Sequence, residues 1–465
     1  MVNVPRLVIA APASGSGKTT MATGLMAALR RRGRRVAGFK VGPDYIDPGY
    51  HALATGLPGR NLDPVLVGEH RIGPLFAHGA AGCDIAVIEG VMGLFDGRIG
   101  AAGAGSTAHV ARLLDAPVLL VVDARGQGQS LAALLHGFRS YSPALRIAGV
   151  LLNRVGSARH ADVLRAAAEE VGLAVLGALP RRPELDVPSR HLGLVPAAEH
   201  AAAAVRAVHA MRDVVARHVD LDGVVRIAGG ATGIVQPPWN PDDEMAGLST
   251  VDGAPVIAVA GGRAFTFGYV EHTELLRAAG ARVAVLDPLR DEVLPEGTAG
   301  LVLPGGFPEE HAPALSSNVT LRAQIAALAG AGRPVHAECG GLLYLCRELD
   351  GRPMCGVLDA GASMAGDLVL GYRDLVATAD SAIMAAGNRA TGHEFHRSRV
   401  RPGSGPVPAW RWRDATGPNV AEGFVQRGVH ASYLHVHPAA VPGAIARLVA
   451  RAAGDAGHLP GAFAV

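Results

Sequence analysis

The sequence predicts two α/β domains, each built on a largely parallel sheet, and three observations lead to this fold class. The 465 residues exceed the roughly 100–200 residues that one domain usually needs. The first half alternates short β-branched runs with helical stretches, which is typical of a doubly wound sheet. A second alternation follows a segment rich in Gly, Pro and Asp. We therefore predict domains at residues 1–228 and 256–465, joined by a linker at 229–255.

In the first half, short apolar runs predict the strands of a parallel sheet, and apolar residues at helical spacing predict the helices between them. The predicted strands are 7–11, 35–40, 85–89, 118–123, 147–152 and 174–179. The predicted helices are 20–32, 131–138 and 158–171, with a further helix at 197–217. Ligands of such open sheets bind at the carboxyl ends of the strands, so functional residues are expected there.

The second half repeats this rhythm without repeating the sequence. The predicted strands are 256–260, 282–286, 301–303 and 335–338, and the predicted helices are 270–279 and 321–330. Two separate α/β domains follow from this pattern.

Composition excludes several classes of partner. Charged residues are 18% of the chain and nearly balance at a net +2, so we expect neither a nucleic acid nor an anionic membrane surface as a partner. No apolar run reaches the roughly 18 residues of a membrane-spanning helix, and the N-terminal LVIAAPA is expected to be a strand and not a signal peptide. The cysteines, Cys83, Cys339, Cys346 and Cys355, lack paired spacing, which indicates a reducing, cytoplasmic location.

A phosphate-binding loop is predicted where the first strand runs into PASGSGKTT and a helix begins. Backbone N–H groups of such a loop converge on phosphate oxygens, while Lys18 reaches the terminal phosphates and Thr19 can bind Mg²⁺. Pro12 stands where the common motif has its first glycine. The predicted ATP-binding residues are Ser14, Gly15, Ser16, Gly17, Lys18, Thr19 and Thr20. Asn153, after a later strand, is expected either to contact the base or to form a turn.

Lysine is unusually rare in this chain. Lys18 and Lys40 are the only lysines, and every other basic position except histidine is arginine. If coding bias has replaced lysine by arginine wherever either would do, these two positions are candidates for sites that need a compact ammonium group. The alternative is that either lysine stands there by chance.

Carboxylates that follow two predicted strands are candidate magnesium ligands and acceptor-site residues. Asp44 and Glu89 are expected to bind Mg²⁺ together with Thr19, because Mg²⁺ prefers oxygen ligands. Asp47 and Asp96 are expected to lie farther out. There they would orient the molecule that accepts the phosphoryl group, here called the acceptor, or an incoming ammonia nucleophile. Each of these residues taken alone could instead be a cap or turn residue.

A thiol nucleophile is predicted at Cys339, which follows strand 335–338 and precedes two glycines and a helical stretch. A sharp strand-to-helix turn exposes a reactive side chain, and a helix N-terminus is expected to lower the pKa of the thiol. The backbone N–H groups of Gly305, Gly306 and Gly340 are candidates for an oxyanion hole. The alternative is a buried structural cysteine.

A catalytic base for this thiol should be a distant histidine. The segment HASYLHVH offers His430, His435 and His437. A second segment contains His393 and His396, but its spacing differs from the HExxH pattern of zinc sites. We therefore expect surface or acceptor-site histidines there, and no zinc.

Eight motifs spread over nearly the whole chain carry a family resemblance. They are ASGSGKTT, FKVGPDYIDPGYH, GRNLDP, IEGVMGLFDG, LPGGFPE, AECGG, GHEFH and SYLHVH. With them the sequence resembles the cobyrinic or hydrogenobyrinic acid a,c-diamide synthases of cobalamin biosynthesis. The N-terminal domain is similar to dethiobiotin synthetase, a P-loop enzyme, and the C-terminal domain to class I glutamine amidotransferases.

The resemblance implies a mechanism with two sites. Cys339, activated by His435, would release ammonia from glutamine. MgATP held by Lys18 and Thr19 would phosphorylate a carboxylate of a corrin-type tetrapyrrole acid, and ammonia would then displace phosphate from the acyl phosphate. The family does this at side chains a and c, and the segment 61–63 is expected to help hold the acceptor.

One position departs from the amidotransferase pattern. Class I glutaminases usually place Glu two residues after the catalytic His, whereas this sequence has His437 there. His435 is preferred as the base because its motif resembles the SYLH of related corrinoid amidotransferases. The carboxylate that orients this base is left unassigned by the sequence.

Other functions fit parts of the pattern. Cobyric acid synthase shares both domain types, and a close relative amidates a nickel tetrapyrrole. From a different class, an ATPase switch of the partitioning type could carry an inactive glutaminase module, although Cys339 and His435 argue against it. A homodimer is a further expectation, and the sequence does not decide whether the acceptor contains cobalt.

Overall fold

A computed structural model describes residues 3–181, 189–190, 193–194, 196–199, 201–248, 251, 253–414 and 417–454. The chain divides into two compact units, Met1–Trp239 and Asn240–Val465. The division falls inside the segment 229–255, for which the sequence predicts a linker.

The first unit contains a parallel sheet of seven strands in the order β3-β2-β4-β1-β5-β6-β7. The strands of this unit are β1 Arg6–Ala10, β2 Val36–Val41, β3 Arg60–Leu62, β4 Ile85–Glu89, β5 Val118–Asp123, β6 Ile147–Val155 and β7 Val175–Pro180, together with the short antiparallel pair β8 Ser189–Arg190 and β9 Gly193–Leu194. Strands β1, β2 and β4 are buried along their whole length, because helices cover both faces of a doubly wound sheet.

Nine α-helices of the first unit belong to the described part of the chain. They are α1 Lys18–Arg31, α2 Asp47–Thr55, α3 Pro64–Val67, α4 Ile72–Gly79, α5 Thr107–Leu113, α6 Leu131–Tyr141, α7 Ala158–Glu170, α8 Ala201–His218 and α9 Leu221–Ala228. Helices α1 and α2 follow the carboxyl ends of β1 and β2, two interior strands of the sheet. The sheet therefore delivers the N-termini of two helices to the edge where ligands of this architecture bind.

The second unit has a six-stranded sheet in the order β11-β10-β12-β13-β21-β20, parallel except for β20 at one edge. The strands of this unit are β10 Val256–Ala260, β11 Arg282–Leu286, β12 Thr298–Leu303, β13 Val335–Glu338, β14 Glu348–Leu349, β15 Arg352–Pro353, β16 Gly361–Ala377, β17 Arg389–Arg401, β18 Trp410–Arg413, β19 Asn419–Glu422, β20 Phe424–Gln426, β21 Val429–Ser432 and β22 His435–Val436. The helices are α10 Pro241–Met245, α11 Val270–Ala278, α12 Ala312–Ser317, α13 Val319–Gly330, α14 Gly340–Leu345 and α15 Pro442–Ala453. Both units thus have the predicted α/β class.

A second sheet in this unit escaped the sequence analysis. Its strands follow the order β15-β14-β16-β17-β22, and β18 pairs with β16 and β19. The long antiparallel pair of β16 and β17 contains a register shift between Met364 and Val369, and many of its residues are polar and partly exposed. Such strands lack the apolar runs and strict alternation that mark strands in a sequence.

No helix in the described ranges combines the length and apolar character that crossing a lipid bilayer requires.

Candidate nucleotide and thiol sites

The predicted phosphate-binding loop lies at the carboxyl end of β1, the central strand of the first sheet. Gly15 and Gly17 have φ values of 76° and 99°, the left-handed region that favours glycine. A Cβ on Gly17 would lie 2.2 Å from Nδ2 of Asn153. Helix α1 begins at the next residue, Lys18. The loop therefore has the tight turn and helix N-terminus that a polyphosphate requires.

Side chains at the carboxyl ends of β5 and β6 hold this loop in place. Nδ2 of Asn153 donates to the carbonyl of Ser16 at 3.0 Å, and Nη1 of Arg154 donates to that of Gly15 at 2.9 Å. Arg154 also contacts Asp123 at 2.7 Å. The amide nitrogen of Asn153 thus holds the loop in this structure, a contact that the sequence analysis did not anticipate.

Lys18 is buried among backbone carbonyls. Its Nζ donates to the carbonyl of Ala13 at 3.3 Å and to that of Met92. Burial and the neighbouring charge of Lys40 lower the pKa of Lys18 to about 8. A group of negative phosphate oxygens would stabilise this ammonium far better than carbonyl dipoles do, so the loop and its lysine fit a nucleoside triphosphate.

Thr19 faces a buried acidic cluster. Its Oγ1 donates to Oε1 of Glu89 at 2.6 Å and lies 3.3 Å from Oδ2 of Asp47. Nζ of Lys40 lies between the same two carboxylates, 2.5 Å from Oδ2 of Asp47 and 2.9 Å from Oε1 of Glu89. His51 contacts the other oxygen of Glu89 at 2.7 Å. The expectation that Asp47 lies farther out is therefore wrong.

The charges in this cluster depend on one another. Burial alone would raise the pKa of Glu89, but Lys40 and His51 hold it well below its usual range. Burial and the charges of Asp44 and Glu89 raise the pKa of Asp47 well above its usual range. Although burial opposes it, the attraction of Asp47 and Glu89 raises the pKa of Lys40. Lys40 is therefore charged and balances the acidic cluster.

Asp44 and Asp96 form turns in this structure. Oδ1 of Asp44 accepts from the backbone N–H groups of Ile46 and Asp47 at 2.8 and 2.9 Å, and so prepares the start of α2. Oδ2 of Asp96 accepts from the N–H of Gly93 at 3.0 Å. Asp47 and not Asp44 therefore contacts Thr19, while Oδ2 of Asp44 lies 3.9 Å from Nζ of Lys40, at the margin of the same cluster.

The residues around Thr19 also fit Mg²⁺. A hydroxyl, nearby carboxylates and the phosphates of a nucleotide are the oxygen ligands this ion prefers, completed by water. Thr19, Glu89 and Asp47 offer that set, whereas a cage of three or more protein carboxylates, histidines or cysteines is not found among the described residues.

Segment 61–63, expected to contact the acceptor, supports the loop before α2. Nδ2 of Asn61 donates to the carbonyls of Gly42 and Asp44 at 2.8 and 2.7 Å. Asp63 caps α3 through the N–H groups of Val65 and Leu66. The segment thus positions the loop that carries Asp44 and Asp47.

Cys339 lies on the sharp turn between β13 and α14. Its φ of 47° and ψ of −103° are unusual for a residue with a side chain, as in the strained turns that expose nucleophiles. The N–H of Cys339 donates to the carbonyl of Ser432 at 2.8 Å, which ties the turn to β21. The sulfur faces the carbonyl of Phe395 at 3.9 Å.

Glycines of two loops and the predicted base meet beside this turn. A Cβ on Gly340 would lie 2.9 Å from the backbone nitrogen of Gly306. A Cβ on Gly305 would lie 2.5 Å from Cε1 and 3.1 Å from Nε2 of His435. The structure therefore brings together the three predicted oxyanion glycines and the edge of the His435 ring that carries Nε2.

The other two candidate bases have different surroundings. Nδ1 of His430 lies 3.1 Å from Oγ of Ser381, and burial lowers the pKa of His430 to about 3. His437 accepts from the N–H of Ala439 through Nδ1 and packs on the ring of Tyr269. His435, by contrast, lies beside the oxyanion glycine Gly305.

The thiol of Cys339 does not have the lowered pKa that the sequence analysis expected. Burial and the charge of Glu309 raise its pKa, although a backbone hydrogen bond from Gly340 opposes them. The expectation is wrong because desolvation of the buried thiolate and the nearby negative charges outweigh the stabilisation that the N-terminus of α14 supplies. The thiol therefore needs a base to remove its proton.

The segment with His393 and His396 lies on β17. The two histidines are 5% and 7% exposed, so the expectation of surface histidines is wrong; the acceptor-site alternative stays a prediction. Between them, Glu394 pairs with Arg373 at 2.8 Å. Glu394 lies on β17 beside Phe395, whose carbonyl faces the sulfur of Cys339, and Arg373 lies on the adjacent strand β16.

Comparison with known proteins shows the domain family of each unit. Residues 7–195 match the CobQ/CobB/MinD/ParA nucleotide binding domain, and residues 256–441 match the CobB/CobQ-like glutamine amidotransferase domain. Hydrogenobyrinate a,c-diamide synthase of Mycobacterium bovis is 62% identical over 97% of this chain and 99% of that protein. The chain belongs to the a,c-diamide synthase family.

Other a,c-diamide synthases also match this chain over nearly the full length of both proteins. The hydrogenobyrinate enzyme of Streptomyces coelicolor is 57% identical over 96% of this chain and 97% of its own length. The cobyrinate enzyme of Syntrophotalea carbinolica is 42% identical over 95% and 97%. The family, the two α/β domains with nucleotide-binding and amidotransferase character, and the class of glutamine-hydrolysing ligase are thus confirmed predictions.

Proposed function

We propose that this chain converts the a and c carboxylates of hydrogenobyrinic acid into carboxamides, using ATP and glutamine. The observation that carries the proposal is identity of 62% over 97% of the chain with an enzyme of that name. Three enzymes named for cobyrinate are 39–44% identical, and the higher identity to the hydrogenobyrinate enzyme favours the metal-free acceptor over the cobalt-containing one.

In the second unit, we propose that His435 removes the proton of Cys339 as the sulfur attacks the carboxamide carbon of glutamine. The N–H groups of Gly305, Gly306 and Gly340 would stabilise the oxyanion. His435 then returns the proton to the leaving ammonia, and water hydrolyses the thioester to glutamate. The raised pKa of Cys339 supports a proton transfer to His435 in preference to a resting thiolate.

In the first unit, the loop around Lys18 would hold the triphosphate of ATP. Mg²⁺, held by Thr19 with Glu89 and Asp47, would neutralise charge on the phosphates. An acceptor carboxylate then attacks the γ-phosphorus and ADP leaves. Ammonia displaces phosphate from the acyl phosphate, giving the amide, and the cycle occurs twice per acceptor.

Two further parts of the proposal concern the cell and the assembly. The cysteines are all free, in agreement with a reducing compartment, and we propose a cytoplasmic location. We also propose a homodimer, which light scattering of the purified chain tests directly.

Isotope transfer tests the acyl phosphate. Hydrogenobyrinic acid carrying ¹⁸O in its carboxylates is incubated with the enzyme, ATP and glutamine. The amide product and the inorganic phosphate are then analysed by mass spectrometry. We expect one ¹⁸O in inorganic phosphate for each amide formed. Amide formation with unlabelled phosphate would exclude the acyl phosphate. An enzyme that amidates cobyrinic acid but not hydrogenobyrinic acid would exclude the metal-free acceptor.

A further inference from the structure

A carboxylate contacts His435 from the residue directly before the nucleophile. Oε2 of Glu338 lies 3.3 Å from Nδ1 of His435, and its Oε1 accepts from the backbone N–H of Val436 at 3.2 Å. One carboxylate therefore fixes both the imidazole ring and the backbone beside it. Sequence reasoning missed this residue because 97 positions separate it from His435.

The strands explain how two distant residues meet. Glu338 is the last residue of β13 and is paired with Ser432, the last residue of β21. The chain continues from Ser432 to His435 in only three steps, and so returns to the end of β13. Because side chains alternate across a strand, Glu338 shares a face with His336 and not with Ala337. This geometry leaves Cys339 at the turn and Glu338 at the end of the strand that leads into it.

The charge state of Glu338 suits a partner of an imidazolium. Burial alone would raise its pKa, but hydrogen bonds from His336 and His435 hold it well below its usual range. Burial lowers the pKa of the nearby His272 and His430 to about 4 and about 3, so both are neutral. The negative charge of Glu338 is thus directed at His336 and His435.

His437 stands where class I glutaminases usually have the orienting Glu, but it does not take the role of Glu338. His437 lies two residues after His435, but its Nδ1 accepts from the N–H of Ala439 at 3.2 Å. Its ring lies 4.2 Å, centroid to centroid, from that of Tyr269. These contacts fit a cap of the short helical turn Pro438–Ala440, and a histidine supplies no fixed negative charge.

We propose that Glu338 is the positioning carboxylate of the glutaminase site. It accepts the Nδ1 proton of His435, which leaves Nε2 as the base beside Gly305, and it stabilises the imidazolium formed when Cys339 loses its proton. This proposal rests on the proposed glutamine hydrolysis. It places the acid of the triad immediately before the nucleophile in the sequence.

Glu338→Gln tests the proposal in the full-length protein. Glutamine can still accept from the N–H of Val436, but it carries no charge and can present an amide N–H to His435. By analogy with other triads, we expect kcat for glutamine hydrolysis to fall roughly 10²–10⁴-fold. The KM for glutamine should stay within about threefold, and amidation driven by ammonium chloride should be unchanged. Glu338→Asp, which keeps the charge, should recover part of kcat.

Glu422→Gln is the matched control. Glu422 is also buried in the second unit and accepts from Oγ of Ser432 and from the N–H of Tyr433. Burial raises its pKa to about 8, so at pH 7 the substitution removes little charge. We expect kcat within about threefold of the original protein.

Three results would overturn the proposal. One is a Glu338→Gln protein with nearly full kcat for glutamine. Another is a Glu338→Asp protein no better than Glu338→Gln, and the third is an equal loss in Glu422→Gln. A parent protein that hydrolyses no glutamine contradicts the proposed function itself, whereas an active parent with an equally active Glu338→Gln contradicts only the role of Glu338.

Discussion

Lys40→Met removes the buried cation that balances the acidic cluster of the first unit. Nζ of Lys40 lies 2.5 Å from Asp47, 2.9 Å from Glu89 and 3.1 Å from the carbonyl of Gly90. Methionine fills similar space without charge, and so leaves two buried carboxylates facing each other. Breaking such a buried pair typically costs about 3–5 kcal/mol.

This cost should appear as a lower unfolding temperature. At about 2–4 °C per kcal/mol for a unit of this size, we expect the transition of the first unit to fall by roughly 6–20 °C. Differential scanning calorimetry at pH 8 measures the shift. Arg31→Met is the matched control, because its ion pair with Asp213 is exposed and should contribute about 1 kcal/mol or less.

The effect should also depend on pH, with a defined sign. In Lys40→Met, Asp47 relieves the repulsion by binding a proton, so its folded pKa, already raised, rises further above the unfolded value. A carboxyl group whose pKa is higher in the folded than in the unfolded state stabilises the folded state at pH values below the unfolded pKa, about 4. This stabilisation is lost as pH rises through the folded pKa. The destabilisation relative to the parent should therefore be smaller at pH 5 than at pH 8. An unchanged transition at pH 8, or a shift independent of pH, would refute the reasoning.

Two further predictions concern the loop and the thiol. Gly17→Ala should lower the rate of ammonium-driven, ATP-dependent amidation at least about tenfold, because alanine at this left-handed φ costs roughly 1–2 kcal/mol and its Cβ would collide with Asn153. Gly15→Ala has the same backbone strain, but its Cβ would meet nothing within 4 Å, so its rate should fall less. Equal rates in the two variants would contradict this prediction. Alkylation of Cys339 by iodoacetamide, followed by peptide mass spectrometry without glutamine, should rise about tenfold per pH unit from 7.5 to 9, because the thiol pKa is raised. A plateau below pH 8 would show a resting thiolate.

The phosphate-binding loop could be predicted because its chemistry is local. Glycines, lysine and threonine follow one strand in an unbroken order, and α1 begins at Lys18 as the pattern requires. The rarity of lysine also directed attention to Lys40, although its partners could not be named. Cys339 was found for the same reason, since strand, nucleophile and helix are consecutive.

The contacts that set charge were harder to predict because they join distant segments. Whether Asp44 or Asp47 contacts Thr19 depends on the turn before α2, where Oδ1 of Asp44 accepts hydrogen bonds from two backbone N–H groups. Burial of Cys339, which reverses the expected shift of its pKa, depends on the packed unit and not on its neighbours in sequence. Glu338 was adjacent to a recognised nucleophile, yet only the pairing of β13 with β21 reveals its contact with His435.

The most direct test of the account compares two nitrogen donors in two variants, with ATP and hydrogenobyrinic acid present. Cys339→Ser should lose amidation with glutamine but keep it with ammonium chloride, because only the release of ammonia needs the thiol. Lys18→Ala should lose amidation with both donors. A folded Cys339→Ser protein inactive with both donors, or a Lys18→Ala protein active with ammonium, would contradict the division of the reaction between the two units.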